Sequence, residues 1–319
     1  MRVSFSLEKF EKNLDWNPVY TGLDRGAAHN VCNFRYKIPD HIPIVFHNLS
    51  GYDTHLFIRE LGKKFNKNDI GVIGENKEKY ISFSVKVAVQ LAGVTDKNGE
   101  PVYKKIQLRF IDSMRFMQSS LSDLVDNLAE TNTDGLKCCR DPALELLEID
   151  ASYKAHYKCG KCGFILEKQL NKESLKRRFA NIRKICSCDE HFRLFLRKGV
   201  YPYEYIDSFD RFNETKLPPK KAFYNTLNIQ DISDEDYQHA QQVWNRITPE
   251  GSHVTLGDYH DVYLKTDVLL LVDVFENFRD TCLNHYKLDP AHFYTAPGLA
   301  WKAALKITGV KLEQRLIKR

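Results

Sequence analysis

Hydrophobic positions recur every second residue over 80–89, which puts Ile81, Phe83, Val85 and Val87 on one face and Ser82, Ser84 and Lys86 on the other. A half-buried strand is predicted there. Asp96-Lys97-Asn98-Gly99 follows as a turn, so the strand should return through a second one at 106–112 as a hairpin. Upstream, the short β-branched run IPIVFH at 42–47 reads as a buried strand. It leads into Asn48-Leu49-Ser50-Gly51-Tyr52-Asp53 and then a helix over about 54–63. The period becomes helical after Ser119-Ser120-Leu121, where a serine serves as N-cap. It does so again after Ser233, whose helix lines up Tyr237, Ala240, Val243, Trp244 and Ile247. A break at Asp289-Pro290 precedes a last helix near 297–307.

The longest periodic stretch, 259–276, predicts one helix, with Thr255 as N-cap and Asp258 in the first turn. The run 268–272 is apolar all round, so the middle of this helix should be buried on several sides. Tyr263 and Asp267, four residues apart, share one face of it. A carboxylate there needs a partner, because burying an unpaired charge costs several kcal/mol. Asp267 is either a rim residue accepting a hydrogen bond or a metal ligand with Tyr263 poised over an attacking water. A second carboxylate elsewhere in the chain would decide between them.

Composition narrows the class. The chain has 319 residues, with 43% hydrophobic and 28% charged positions, as an ordinary globular protein does. No apolar run is long enough for a transmembrane helix, and the N-terminal segment lacks the apolar core of a signal peptide. No membrane partner is expected. A net charge of +5 is a mild pointer to polyanionic partners. Eight cysteines, partly clustered, suit a reducing intracellular compartment with metal sites better than a disulfide scaffold.

Residues 134–200 interrupt the pattern and read as a basic, cysteine-containing insertion. Cys159-x2-Cys162 and Cys186-x-Cys188 stand far apart in it, with His156 and His191 flanking. Between 165 and 198 there are ten Lys or Arg against four acids. A small zinc ribbon is expected, held by Cys159, Cys162, Cys186 and Cys188, with His191 as an alternative ligand to Cys186 and free buried thiols as the competing reading. The adjacent Cys138-Cys139 pair is placed outside that site. Near the N-terminus, His29 and Cys32 have the spacing of half a zinc knuckle.

Asp53 supplies the second carboxylate, just past a buried strand and at the start of a helix. Phosphodiester hydrolysis by two divalent ions needs several converging carboxylates, and oxygen ligands suit Mg²⁺ or Mn²⁺. Here the sequence resembles the 3′–5′ proofreading exonuclease region of protein-primed family B DNA polymerases of viruses, organellar plasmids and self-synthesising transposons. Asn48-x3-Tyr52-Asp53 matches that family's second exonuclease motif and Tyr263-x3-Asp267 its third. Ser120-Leu121-x2-Leu124 matches a single-strand-binding motif, and the runs HNLSGYDTHLFIREL, IDSMRFMQSSLSDLV and YPYEYIDSFDRFNETKLPP are similar to transposon-type members.

The resemblance implies an α/β, ribonuclease-H-like exonuclease fold: a mixed sheet with flanking helices, carrying the zinc-ribbon-like insertion. It divides the chain into first and second exonuclease parts at 39–133 and 201–290 around the insertion, with the start of a polymerase region at 291–319. It further implies that Asp53 and Asp267 hold metal and Tyr263 orients water. Asn48, Tyr52, Ser120 and Leu121 would grip a single-stranded 3′ end or primer terminus, and an intact relative would work with a terminal priming protein. The site of action would be the nucleus or wherever the element replicates.

Residues 1–38, around Tyr20 to Asn33, resemble the end of a phage-type His-Asn-His endonuclease and are read as a remnant without nuclease chemistry. Two departures qualify the polymerase resemblance. No Asp-x-Glu precedes Asn48, and the palm motifs of the polymerase are missing, so the chain is expected to be a catalytically incomplete fragment. If another carboxylate completes the site, Asp112 is a candidate. Two further readings stay open: an inactive single-stranded DNA-binding module from a decayed transposon, and a zinc-ribbon interaction protein.

Overall fold

A computed structural model describes residues 41–310 apart from 77–78, 132–135, 137, 139–143, 227–228, 230 and 248–252. The endonuclease-like remnant with His29 and Cys32, the residue Cys139 and the basic tail 311–319 lie outside the described residues. The chain is mixed α/β and divides into two compact units, Met1–Gln118 with Cys282–Arg319, and Ser119–Thr281.

The first unit is built on a four-stranded mixed sheet of β1 (His41–Phe46), β2 (Ile70–Gly74), β3 (Tyr80–Thr95) and β4 (Pro101–Asp112), in the order β1-β4-β3-β2. The expected hairpin is present and longer than its alternating stretch, with β3 and β4 antiparallel. Its turn closes through Gly99 N to Asp96 O at 3.1 Å, and Gly99 takes a φ of +85° that only glycine adopts without strain. β1 pairs β4 in parallel, with Phe46 opposite Asp112. It is half-buried along its whole length, less buried than its β-branched content suggests.

Helix α1 (Thr54–Lys64) follows β1. Phe57 and Ile58 on α1 pack against Phe83, Val85 and Phe110 of the sheet, and the Phe83 and Phe110 rings stack at 4.4 Å. Burying several large aromatics, at about 1.5–3 kcal/mol each, fixes this helix on the sheet face.

The second unit opens with α2 (Leu121–Ala129), whose N-cap Ser120 accepts from Asp123 N at 3.1 Å. The described part of the basic stretch 134–200 falls within this unit. It consists of an antiparallel sheet of β5 (Leu144–Ile149), β6 (Lys154–Cys159) and β7 (Ile165–Gln169), followed by the short helices α3 (Lys172–Arg178), α4 (Ala180–Ile185) and α5 (Asp189–Leu194). Tyr157, Leu175, Phe179, Ile182 and Phe192 are buried, so the insertion contributes a real core.

Helices α6 (Asp234–Ile247) and α7 (Leu256–Tyr286) follow. The start of α7 carries the expected cap: Thr255 N and Oγ1 both donate to Asp258 Oδ2, at 2.8 and 2.9 Å. Its apolar middle is buried on one side, not on several as the sequence predicts. Leu270, Val274 and Phe275 are buried, but Leu264, Val268 and Val272 form an exposed row at four-residue spacing. A 3.6-residue period carries an unbroken apolar run round the whole helix, so the run alone cannot say which side is covered. The chain ends its described part with α8 (Ala296–Thr308), capped by Thr295 and closed by Gly309 at φ +66°. Among the described residues no helix is long and apolar enough to cross a membrane.

Candidate functional site

Asp53 owes its position to the parallel pairing of β1 with β4. The two strands finish side by side at Phe46 and Asp112, so the segment after β1 passes over the end of β4. Asp112, only 1% exposed, gathers that segment. Its carboxylate accepts from Asn48 N at 2.9 Å, Ser50 N at 3.1 Å, Ser50 Oγ at 3.2 Å and Met114 N at 3.1 Å. Such a carboxylate is fully engaged in holding backbone. Asp112 therefore works as an anchor of the Asn48–Asp53 turn, which changes its standing as a candidate metal carboxylate.

Two further details shape the turn. Asn48 sits at φ +66°, a region that asparagine tolerates better than most residues. Gly51 lets the Asn48 side chain lie close, since a Cβ there would meet its oxygen and make that side chain shift. Tyr52 lies in this turn, between Leu49 and Asp53. Asp53 makes no side-chain capping bond to α1 although it occupies the N-cap position. Burial, and secondarily the nearby Asp112 charge, raises its pKa. A half-buried carboxylate that does no capping and sits beside a second negative charge favours a cation.

The second unit holds the other carboxylate. On α7 the Tyr263 hydroxyl donates to Asp267 Oδ2 at 2.9 Å, as the four-residue spacing predicts. The Tyr263 hydroxyl also pairs with that of Tyr203, and Tyr201 stacks on the Tyr263 ring at 4.6 Å. The tyrosine-rich stretch 201–205 thus packs over the candidate site. Tyr201 is held in turn by His260, its hydroxyl 2.6 Å from Nδ1. Gly199 makes room: a Cβ there would stand 2.9 Å from Tyr263 Cδ2. Nothing in the sequence pattern marks Gly199.

The other oxygen of Asp267, Oδ1, is buried and has no hydrogen-bond partner among the described residues. Lys198 Nζ lies 3.9 Å from Oδ2, at the edge of an ion pair. Burial raises the Asp267 pKa, with Lys198 and the Tyr263 hydrogen bond pulling the other way. Burial likewise raises the Tyr263 phenol, so it stays protonated and can donate. An orphaned buried carboxylate oxygen costs free energy unless something binds it, and a hard divalent cation is the ligand that suits it. The residues present fit such an ion.

Ser120 and Leu121 have structural duties in the second unit. The Ser120 hydroxyl caps α2 and also donates to Asp123 Oδ2 at 2.7 Å, while Leu121 is buried with Val125 and Ala129.

The expected cysteine set is rearranged. Cys159 and Cys162 do come together, at the β6–β7 turn, but their third partner is Cys138, and the three sulfurs lie within 4.8 Å of one another. Cys186 donates to Ile182 O at 3.1 Å, and Cys188 Sγ accepts from Arg246 at 3.3 Å. His191 pairs with Ser187 Oγ at 2.7 Å and with Arg246. None of these three belongs to the group. Spacing within the sequence could find the Cys159-x2-Cys162 half. Only the fold brings Cys138, 21 residues upstream of Cys159, to it.

Sequence reasoning also passed over Asp273. It is 1% exposed and accepts from Asn181 N, Asn181 Nδ2 and Ile182 N at 2.8–3.0 Å, tying α7 to the start of α4. Its oxygens are satisfied where Asp267 Oδ1 is not, which separates a structural carboxylate from a candidate ligand on the same helix. No family model matches the chain, and no curated protein or solved structure matches it either.

Proposed function

We propose that this chain carries the 3′–5′ exonuclease region of a protein-primed family B DNA polymerase, on a ribonuclease-H-like fold, and acts on single-stranded DNA 3′ ends. The observation that carries the reading is the buried, partnerless Oδ1 of Asp267, set beside a tyrosine that the same carboxylate orients. Asp53, just past the carboxyl end of a parallel strand, is a candidate ligand within the first unit. Bound Mg²⁺ or Mn²⁺ would activate a water and steady the leaving oxygen.

The chain's own residues supply the rest. Asp267 offers Oδ1 to a cation and uses Oδ2 to hold Tyr263. Tyr263 spends its one hydroxyl hydrogen on Asp267 and Tyr203 reaches the same oxygen, so the protonated phenol orients water as an acceptor and does not act as the base. Lys198 offsets negative charge beside Asp267. Asn48 and Tyr52 grip the strand end, with Tyr52 offering a stacking surface to a base. In an intact relative the partners would include a primer terminus and a terminal priming protein.

Only two of the expected four carboxylates are assigned, so hydrolysis should run orders of magnitude below that of a complete site. The test is a 5′-labelled single-stranded oligonucleotide with excess protein and Mn²⁺. Slow shortening from the 3′ end, lost in Asp267→Ala, is the expected outcome. Binding that weakens steeply with salt, without any shortening, would make the chain a DNA-binding module instead. Shortening unchanged in Asp267→Ala would sink the reading.

A further inference from the structure

The β6–β7 turn reads Cys159-Gly160-Lys161-Cys162-Gly163-Phe164. It is closed at both ends of its backbone, by Gly163 N to Cys159 O at 2.8 Å and Cys159 N to Phe164 O at 2.9 Å. Gly163 takes a φ of +71°, which turns the chain back tightly enough to bring Cys162 beside Cys159. The backbone N–H groups of Cys162 and Lys161 turn toward the Cys159 sulfur. Cys138 then approaches from outside the hairpin, its sulfur 3.3 Å from that of Cys162.

Four donors at about 2.3 Å from a tetrahedral zinc stand roughly 3.8 Å from one another. Three sulfurs within 4.8 Å need only small side-chain adjustments to reach that spacing. The 3.3 Å separation of the Cys138 and Cys162 sulfurs is far outside the roughly 2.05 Å of a disulfide.

We propose that Cys138, Cys159 and Cys162 form a structural zinc site that staples the chain entering β5 to the β6–β7 hairpin. Cys159 is its buried floor, and exposed Cys162 with half-buried Cys138 its open side. Solvent supplies the fourth donor. Zinc suits the site because all three protein donors are soft sulfurs held in a preformed turn, and a closed thiolate site contributes directly to folding. Cys138 stands six residues before the start of β5 in sequence, so the metal ties that part of the chain to the β6–β7 turn. This holds whether or not the chain is a nuclease.

The test is elemental analysis of the whole chain purified with zinc present, alongside Cys138→Ser, Cys159→Ser, Cys162→Ser, Cys186→Ser and Cys188→Ser. One zinc per chain is expected in the wild type and in the last two variants. Zinc affinity should fall in each of the first three by more than the roughly 10- to 100-fold that outer-shell changes cost. Circular dichroism separates metal loss from misfolding. Cobalt substitution of the wild-type chain provides a readout independent of any variant, with the spectrum of tetrahedral, thiolate-rich cobalt expected. A folded wild type without zinc would overturn the site, as would zinc lost equally in Cys188→Ser. So would a mass two hydrogens short, showing a Cys138–Cys162 disulfide in place of the metal.

Discussion

A carboxylate is an expensive group to bury, and the chain buries or half-buries four that matter: Asp53, Asp112, Asp267 and Asp273. Two are consumed by backbone. Asp112 holds the turn after β1, and Asp273 holds the start of α4. Asp53 and Asp267 have raised pKa values, chiefly from burial, and no comparable ring of donors. The sign of the pH effect follows. A carboxyl whose folded pKa is raised holds its proton longer in the native state than in the unfolded chain. Its contribution to stability is therefore complete at low pH and lost as pH rises through the folded value. Metal binding runs the opposite way, since the ligand must be deprotonated.

Gly199 offers a second test at this scale. A methyl group there meets the Tyr263 ring at 2.9 Å, so the ring must shift and its bond to Asp267 lengthens. Gly199→Ala should cost about 1–3 kcal/mol of stability. It should also slow 3′ shortening by roughly a hundredfold through misplacement of the tyrosine. Equal shortening rates in single-turnover digestion would show that Tyr263 is not positioned for chemistry.

Among the elements, α7 carries most of the contrast between what the sequence reveals and what only packing decides. Its cap is legible because Thr255 and Asp258 state it in four residues. The Tyr263–Asp267 contact is legible because the spacing is helical. The buried side is not, because the run 268–272 is apolar whichever way it faces. Urea denaturation makes the distinction quantitative: Leu270→Ala should cost about 2–5 kcal/mol, whereas Val268→Lys should stay within about 0.5 kcal/mol.

The β3–β4 hairpin was readable from its alternation and its Asp-Lys-Asn-Gly turn. β2 was not, since Ile70–Gly74 contains two glycines and is largely exposed, which erases the alternating signal. The cysteine group shows the same limit at longer range. Local spacing identifies Cys159 and Cys162, but a close approach between distant segments brings in Cys138, and Cys186 and Cys188 are drawn into other contacts.

For the whole molecule, the mixed α/β class was legible from the succession of periods. The division into compact units was not, because the helix α7 runs across its boundary without any break in pattern. Asp53 belongs to the first unit and Asp267 to the second, with more than 200 residues between them in sequence. The central claim is that both are metal-holding carboxylates. Its most direct test is a Mn²⁺ titration of the full chain followed by electron paramagnetic resonance, comparing wild type with Asp267→Asn and Asp53→Asn. Asparagine keeps the Tyr263 partner but removes the charge from Oδ1. The account predicts Mn²⁺ binding near neutral pH that weakens as the medium is acidified, and affinity reduced at least tenfold (about 1.4 kcal/mol) in each variant. A wild-type isotherm that the Asp267→Asn curve reproduces would contradict it, leaving Asp267 as no more than the hydrogen-bond acceptor of Tyr263.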